Sequence, residues 1–416
     1  MLTNRPDLHA HMPFSKRQSL ACTALALGLL WAQAAPAADC DWRDLRFRPA
    51  VRAGASFAWQ DGAATPRPEA AQRIALWGDS LTSARDFVDA ALGAYGLPKA
   101  GLQPSFIQPG IQVGGLHLPL RASCASGGWQ TGYAHKEGRK PSWYAKGLLS
   151  MRSSTPGDSI LLDFRSPQPS SRVKQLGIVF EKASPDGSLL LAISVDGGEE
   201  RLVPLSRSAA TRLQIQPAEP MAAIRIRLVS GQLTVHGFEP LYQDKPAAIV
   251  DVLSVPGGTL GAWSHVDERL SAAAPGDDYD LVLVQYGTNE GASPRFARDG
   301  YLHYVRRNLG LLRARYPRAR CILIGPPDRG AAGGAGPASR TFSDVHRQIA
   351  SAQKQAGQEH GCAFWDWQAA MGGPGAATRW ARMHPPQMQG DLTHLTAKGY
   401  QLSGRMFAEA MLLDQH

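Results

Sequence analysis

Between residues 150 and 244 the chain carries seven short strand-like runs in close succession, and on either side of that stretch strands alternate with helices. The runs lie at 160–164, 176–180, 189–195, 201–205, 213–215, 224–228 and 233–238. Pro185-Asp186-Gly187, Asp196-Gly197-Gly198 and Ser230-Gly231 punctuate them, and Ile224-Arg225-Ile226-Arg227-Leu228 alternates as a sheet with one wet face requires. Seven strands at this spacing predict a β-sandwich. Upstream, Arg73-Ile74-Ala75-Leu76-Trp77 is a short apolar run that stops at Gly78, as a buried parallel strand does. A helix is predicted over 83–92, with Phe87, Val88, Ala91 and Leu92 on one face. Downstream, strands are predicted at 248–255, 281–285, 321–324 and 363–367, and helices at 296–316 and 396–413, the last capped by Thr396. This rhythm demands a parallel sheet covered on both faces. The expected organisation is one α/β domain in two pieces, 39–149 and 246–416, interrupted by the sandwich at 150–245.

Residues 1–38 stand apart. Lys16 and Arg17 precede an apolar run from Leu20 to Trp31, and Ala35-Pro36-Ala37 fits the cleavage pattern of a secretory signal peptide. The run is too short to span a bilayer, which takes about 20 residues. An exported, periplasmic or secreted protein without stable membrane insertion is therefore expected. Removing this segment deletes Arg5, Lys16, Arg17 and Asp7, so the formal charge falls from +9 to +7. The excess is dispersed, without the Lys/Arg blocks or aromatic interleaving of a nucleic-acid surface, and no nucleic-acid partner is expected. Cys40, Cys124, Cys321 and Cys362 remain, an even number in an oxidising compartment. Three pairings are possible; Cys40–Cys124 with Cys321–Cys362 keeps each bridge within one lobe. None has the C-x-x-C spacing of a zinc or redox site, there is no H-E-x-x-H, and neither metal nor cofactor is expected.

Three candidate sites follow the ends of predicted strands, where open α/β sheets place their ligands. Ser80 sits in Gly78-Asp79-Ser80-Leu81, between a strand and a helix. The chain contains its own control, Gly157-Asp158-Ser159-Ile160, which follows Ser-Thr-Pro and leads into a strand, so it is an ordinary turn. Gly287-Thr288-Asn289-Glu290 follows the strand at 281–285, and Asp391-Leu392-Thr393-His394 stands near the C-terminus. A serine hydroxyl needs an adjacent base to act as nucleophile; His394 can serve, and Asp391, three residues earlier, can turn back to fix its imidazole. His384 is a rival base without an acidic partner at suitable spacing; His117 and His135 belong to no metal-ligand pattern. Trp129, after Ser126-Gly127-Gly128, is expected to be a packed aromatic, with stacking on a sugar as the alternative, and the Gly-rich stretch 330–336, which lacks the Lys-Ser/Thr of a phosphate loop, a loop near the site's rim.

With the strand-ending Gly257, these blocks in this order resemble the SGNH/GDSL hydrolase superfamily over roughly 73–148 and 246–416. The resemblance implies a three-layer α/β/α domain around a flavodoxin-like parallel sheet, here with the inserted β-sandwich. It implies a serine esterase with Ser80, Asp391 and His394 as catalytic residues, and an oxyanion hole made by the backbone N–H groups of Ser80 and Gly257 and the side chain of Asn289. Within the superfamily the chain looks most like exported peptidoglycan O-acetylesterases that carry a carbohydrate-binding-like sandwich. The implied partner is an acetylated glycan polymer, peptidoglycan first. An O-acetyltransferase on the same scaffold, another carbohydrate acetylesterase, a lipase-like esterase and a non-catalytic glycan-binding protein are the other readings.

Overall fold

A computed structural model describes residues 40–44, 56–62, 66, 69–138, 143–182, 188–205, 211–271, 278–293, 295–331 and 336–413. The expected signal peptide and residues 332–335 of the Gly-rich stretch lie outside them. Six strands form a parallel sheet in the spatial order Cys362–Trp365, Arg320–Ile324, Leu281–Gln285, Arg73–Gly78, Ala248–Val252, Leu102–Gln103. Side chains alternate across a strand, so a sheet covered on both faces needs apolar residues at every position. Arg73–Gly78 meets this requirement. Ile74 and Leu76 enter one core with Phe87 and Phe407, while Ala75 and Trp77 enter the other with Val305, Leu309 and Ile349. Asp86–Ala94 and Ala397–Ala408 supply the first helical layer; Arg298–Arg315 and Pro337–Glu359 supply the second. The architecture is the three-layer α/β/α SGNH fold.

Two antiparallel sheets accompany it. The six-stranded one runs Phe57–Asp61, Arg212–Pro217, Val173–Lys182, Leu233–Tyr242, Leu149–Ser153, Gln130–Tyr133. The five-stranded one runs Arg201–Pro204, Leu190–Val195, Ala223–Ser230, Ser159–Asp163, Ala122–Ala125. Met151, Ile178 and Val235 of the first interleave with Ile160, Ile193 and Ile226 of the second in one apolar core. Trp129 is buried in that core and donates its Nε1–H to the Ser159 carbonyl at 3.1 Å. The two sheets take more of the chain than 150–245, drawing edge strands from 57–61, 122–125 and 130–133. Both disulfides keep the pairing within a lobe: Cys40–Cys124 and Cys321–Cys362.

The helix expected over 83–92 is two helices, Ser80–Ser83 and Asp86–Ala94, broken at Arg85 with φ +70°. The break has a local cause. The Ser83 carbonyl accepts the His117 N–H at 3.2 Å, and the Ser83 hydroxyl donates to the Gly115 carbonyl at 2.8 Å, so a crossing loop takes the groups that would continue the helix. Thr396 caps Ala397–Ala408 by accepting the Gly399 N–H at 3.2 Å. No helix among the described residues is long and apolar enough to cross a membrane.

Candidate active site

Ser80 stands two residues past the end of the strand Arg73–Gly78, and Asp79 aims it. The Asp79 carboxylate is fully buried, and its Oδ1 accepts the Leu81 N–H at 2.9 Å, capping the turn that carries Ser80. Gln285, ending the neighbouring strand, grips Asp79 twice: its Oε1 accepts the Asp79 N–H and its Nε2 donates to Asp79 Oδ2, each at 3.3 Å. Burial pushes the Asp79 carboxyl up to about 6, although these donors oppose the shift.

Ser80 Oγ lies 3.0 Å from His394 Nε2, and His394 Nδ1 lies 2.7 Å from Asp391 Oδ2. Asp391 reaches back because its Oδ1 accepts the N–H groups of Thr393 and His394, both at 3.0 Å, while Leu392 adopts φ +53° between them. Burial pushes the Asp391 carboxyl up, but the His394 side chain and the two N–H donors outweigh it and hold the carboxyl below its ordinary range. The carboxylate therefore fixes the tautomer that leaves Nε2 free to accept the Ser80 proton. His394 and Asp391 keep 37% and 47% of their side-chain surfaces exposed, so the pair opens onto solvent.

Beside Ser80 two loops face each other. Gly257 has φ +75°, a left-handed conformation suited to glycine. Gly258 lies so close to the chain that a Cβ there would sit 2.7 Å from the Val255 carbonyl oxygen. The Gly258 N–H is spent on that carbonyl at 2.8 Å, whereas the N–H groups of Gly257 and Ser80 meet no acceptor among the described residues. Asn289 donates one Nδ2–H to the Gly258 carbonyl at 2.9 Å, leaving its second N–H to offer. Two backbone N–H groups and one amide N–H are thus left unspent, the kind of donor set that a tetrahedral oxyanion needs.

Four further residues shape the site, and the sequence pattern assigned none of them a role in it. Gln285 is one. Glu290 is the second: its Oε1 accepts the Leu260 N–H at 3.0 Å and its Oε2 the Gly287 N–H at 3.1 Å. Tyr304 donates its hydroxyl to Glu290 at 3.4 Å and accepts the Gly261 N–H, so the loops at 257–261 and 287–290 are tied through one carboxyl. Burial pushes that carboxyl up to about 7. The third, His135, follows the strand Gln130–Tyr133 of the six-stranded sheet, and its Nε2 lies 3.6 Å from where a Cβ on Gly257 would stand. That nitrogen is buried without a hydrogen-bond partner; burial, then the Lys136 charge, pull the imidazole down to about 4, so it is neutral near pH 7. The fourth, Arg329, donates to the Thr288 carbonyl at 3.3 Å and lies over the Phe342 ring, 4.3 Å from its centroid. Burial pulls its pKa down, against the Asp391 carboxylate, which pulls it up.

The remaining candidates fall elsewhere. Ser159 donates its hydroxyl to the Cys40 carbonyl at 3.1 Å, buried in the antiparallel sheets, and Asp158 accepts from Ser126 Oγ and Ser153 Oγ. His384 is exposed, and its side chain has no hydrogen-bond partner among the described residues. Among those residues no group of histidine, cysteine or carboxylate side chains is arranged to hold a metal ion.

Residues 229–402 match the model of the GDSL-like Lipase/Acylhydrolase family. The matched span includes Gly257, Asn289, Asp391 and His394 and lies C-terminal to Ser80. Among solved structures, a peptidoglycan O-acetylesterase is 18% identical over 82% of this chain and 91% of its own, with a TM-score of 0.61. A lipase/acylhydrolase from Enterococcus faecalis is 21% identical over 39% of this chain and 75% of its own, with a TM-score of 0.30. A carbohydrate esterase family 2 enzyme with its carbohydrate binding domain, from Corynascus thermopiles (Myceliophthora fergusii), is 12% identical over 68% and 98%, with a TM-score of 0.26. Only the first likeness is strong enough to speak to the fold, and it extends across both the parallel and the antiparallel sheets. No match is found among curated proteins. Residues 229–402 are thus similar to a GDSL-like lipase/acylhydrolase domain, the fold is that of an SGNH hydrolase, and the chain is a carboxylic ester hydrolase.

Proposed function

We propose that this hydrolase removes O-acetyl groups from an exported glycan polymer, peptidoglycan first among the substrates, through an acyl-enzyme on Ser80. The observation that carries the reading is the unbroken hydrogen-bond chain Ser80 Oγ–His394 Nε2, His394 Nδ1–Asp391 Oδ2. In the first half-reaction Ser80 Oγ attacks the ester carbonyl while His394 Nε2 takes the hydroxyl proton. Asp391 stabilises the imidazolium that forms, without itself taking the proton. The oxyanion is held by the N–H groups of Ser80 and Gly257 and by the free Nδ2–H of Asn289. Collapse breaks the bond to the sugar oxygen, which leaves as a hydroxyl with the proton from His394. Water, deprotonated by His394, then attacks the acetyl-serine; acetate departs and Ser80 recovers its proton.

A polymer substrate is supported by the openness of the His394–Asp391 pair and by the sandwich, which brings His135 to the Gly257 loop. The fold likeness to a peptidoglycan O-acetylesterase supports the acetyl group and the envelope setting, and with it export through the N-terminal segment. The test is acetate release from O-acetylated peptidoglycan beside acetylated xylan, with fluorophosphonate labelling of Ser80 as the control for a competent site. Labelled enzyme that releases acetate from neither polymer would sink the glycan reading while leaving the serine mechanism in place.

A further inference from the structure

Next to the triad lies a cleft of about 510 Å³, walled by the segments 328–330, 343–344, 374–375 and 377–379 and by Arg382. It adjoins the site directly: the Gly330 N–H donates to the Leu392 carbonyl at 2.8 Å, inside the turn that joins Asp391 to His394. Three arginines line it, Arg329, Arg379 and Arg382. None of them meets a carboxylate within ion-pair distance among the described residues. Arg329 keeps a buried Nε without a partner, and Arg379 donates only to the Pro374 and Gly372 carbonyls. The side chain of Arg382 is exposed and has no hydrogen-bond partner among the described residues.

The two carboxylates in the lining do not cancel this charge. Asp328 is buried beneath the wall, accepting from Ser343 Oγ, from Gln368 Nε2 at 2.7 Å and from the Ala377 N–H at 2.9 Å. Asp344 is matched by Arg347 at 3.2 Å. The cleft is thus a concave surface with three unmatched guanidinium groups, a geometry that favours planar, bidentate recognition of carboxylate. One of the three, Arg329, stands within the field of Asp391.

We propose that this cleft is a subsite for carboxylate groups of the substrate polymer, so that the enzyme selects acetyl esters on anionic rather than neutral glycans. The inference rests on the glycan reading above and adds the charge class of the chain. A carboxylate seated on Arg382 and Arg379 would hold the sugar that follows or precedes the acetylated one, and the triad would then act on an ester already tethered.

The test uses the full chain and needs no acetylated polymer. Hydrolysis of a neutral aryl acetate is inhibited with two probes of one sugar family: a muropeptide without O-acetyl groups, which carries carboxylates, and a chito-oligosaccharide, which carries none. Competitive inhibition by the muropeptide at a Ki about tenfold or more below that of the chito-oligosaccharide is expected. That preference should shrink as salt rises to about 0.5 M, since exposed charges are then screened. Arg382→Glu, with Arg382→Ala as the milder variant, should raise the muropeptide Ki about tenfold and leave the chito-oligosaccharide Ki in place. Equal Ki values for the two probes, or a muropeptide Ki that neither variant shifts, overturns the proposal. A charge preference that survives in an enzyme unable to release acetate from peptidoglycan or xylan keeps the subsite and discards the glycan reading, so the two failures are told apart.

Discussion

Asn289 Nδ2 donates to the Gly258 carbonyl at 2.9 Å, and this bond ties the loop after Gly287 to the loop that carries Gly257. One amide N–H fixes the loop, and in the proposed mechanism the other is an oxyanion donor. Asn289→Ala removes both, so kcat is expected to fall roughly 10²–10³-fold with KM nearly unchanged. Steady-state kinetics on an aryl acetate checks this; a pure KM effect would mean that Asn289 binds the ground state.

Ser80→Ala is expected to lower the rate of the same reaction by roughly 10³-fold or more, with unchanged circular dichroism. The parallel change Ser159→Ala, in the second Gly-Asp-Ser turn, should leave the rate unaltered because that hydroxyl only bonds the Cys40 carbonyl. Residual activity within about tenfold of wild type in Ser80→Ala would remove this serine from the mechanism.

Glu290 gives a pH dependence whose sign is fixed by its environment. Its carboxyl is raised from the ordinary 4.5 to about 7 in the folded protein by burial. A raised acid binds its proton more tightly in the folded than in the unfolded chain. Its contribution to stability is therefore complete below about pH 4.5 and is lost as pH rises through 7. Asp79, raised to about 6, acts in the same direction. Glu290→Gln cannot ionise, so its stability relative to wild type should improve between pH 5 and pH 8. Thermal unfolding at the two pH values measures this, and an unchanged difference refutes it.

Cys321 and Cys362 face each other across adjacent parallel strands and close 41 residues. Replacing both by serine should cost about 2–4 kcal/mol in urea denaturation, because the unfolded chain regains the closed loop's freedom. The strands remain hydrogen-bonded, so aryl acetate turnover at low temperature should persist.

Much of this site was legible in the sequence because its decisive contacts are short. Asp391 and His394 are three residues apart, and a single turn brings them together. Ser80 follows a short apolar run, of which Ile74 to Trp77 are all buried, and that run marked the end of a central strand. The seven strands between 150 and 244 were equally plain, since each has apolar residues enough for one covered face. Three of the four edge strands of the antiparallel sheets were not. Ala122–Ala125 and Gln130–Tyr133 are four residues each with small or polar side chains, and Phe57–Asp61 lies over a hundred residues from its partner Arg212–Pro217. Excising 150–245 would therefore strip these three strands of their partners.

The sequence by itself determined which segments must be buried, which turn presents a serine, and which acid stands beside which histidine, because periodicity and short-range hydrogen bonding are local properties. Only the tertiary structure decided that Glu290 ties the Gly257 loop to the Asn289 loop, that Gly258 rather than Gly257 spends its N–H, and that Arg329 shares one cleft beside the triad with Arg379 and Arg382. Those outcomes depend on where loops some thirty to three hundred residues apart are brought by the packing of the sheets, and a side chain's neighbours across such distances leave no periodic mark on the chain.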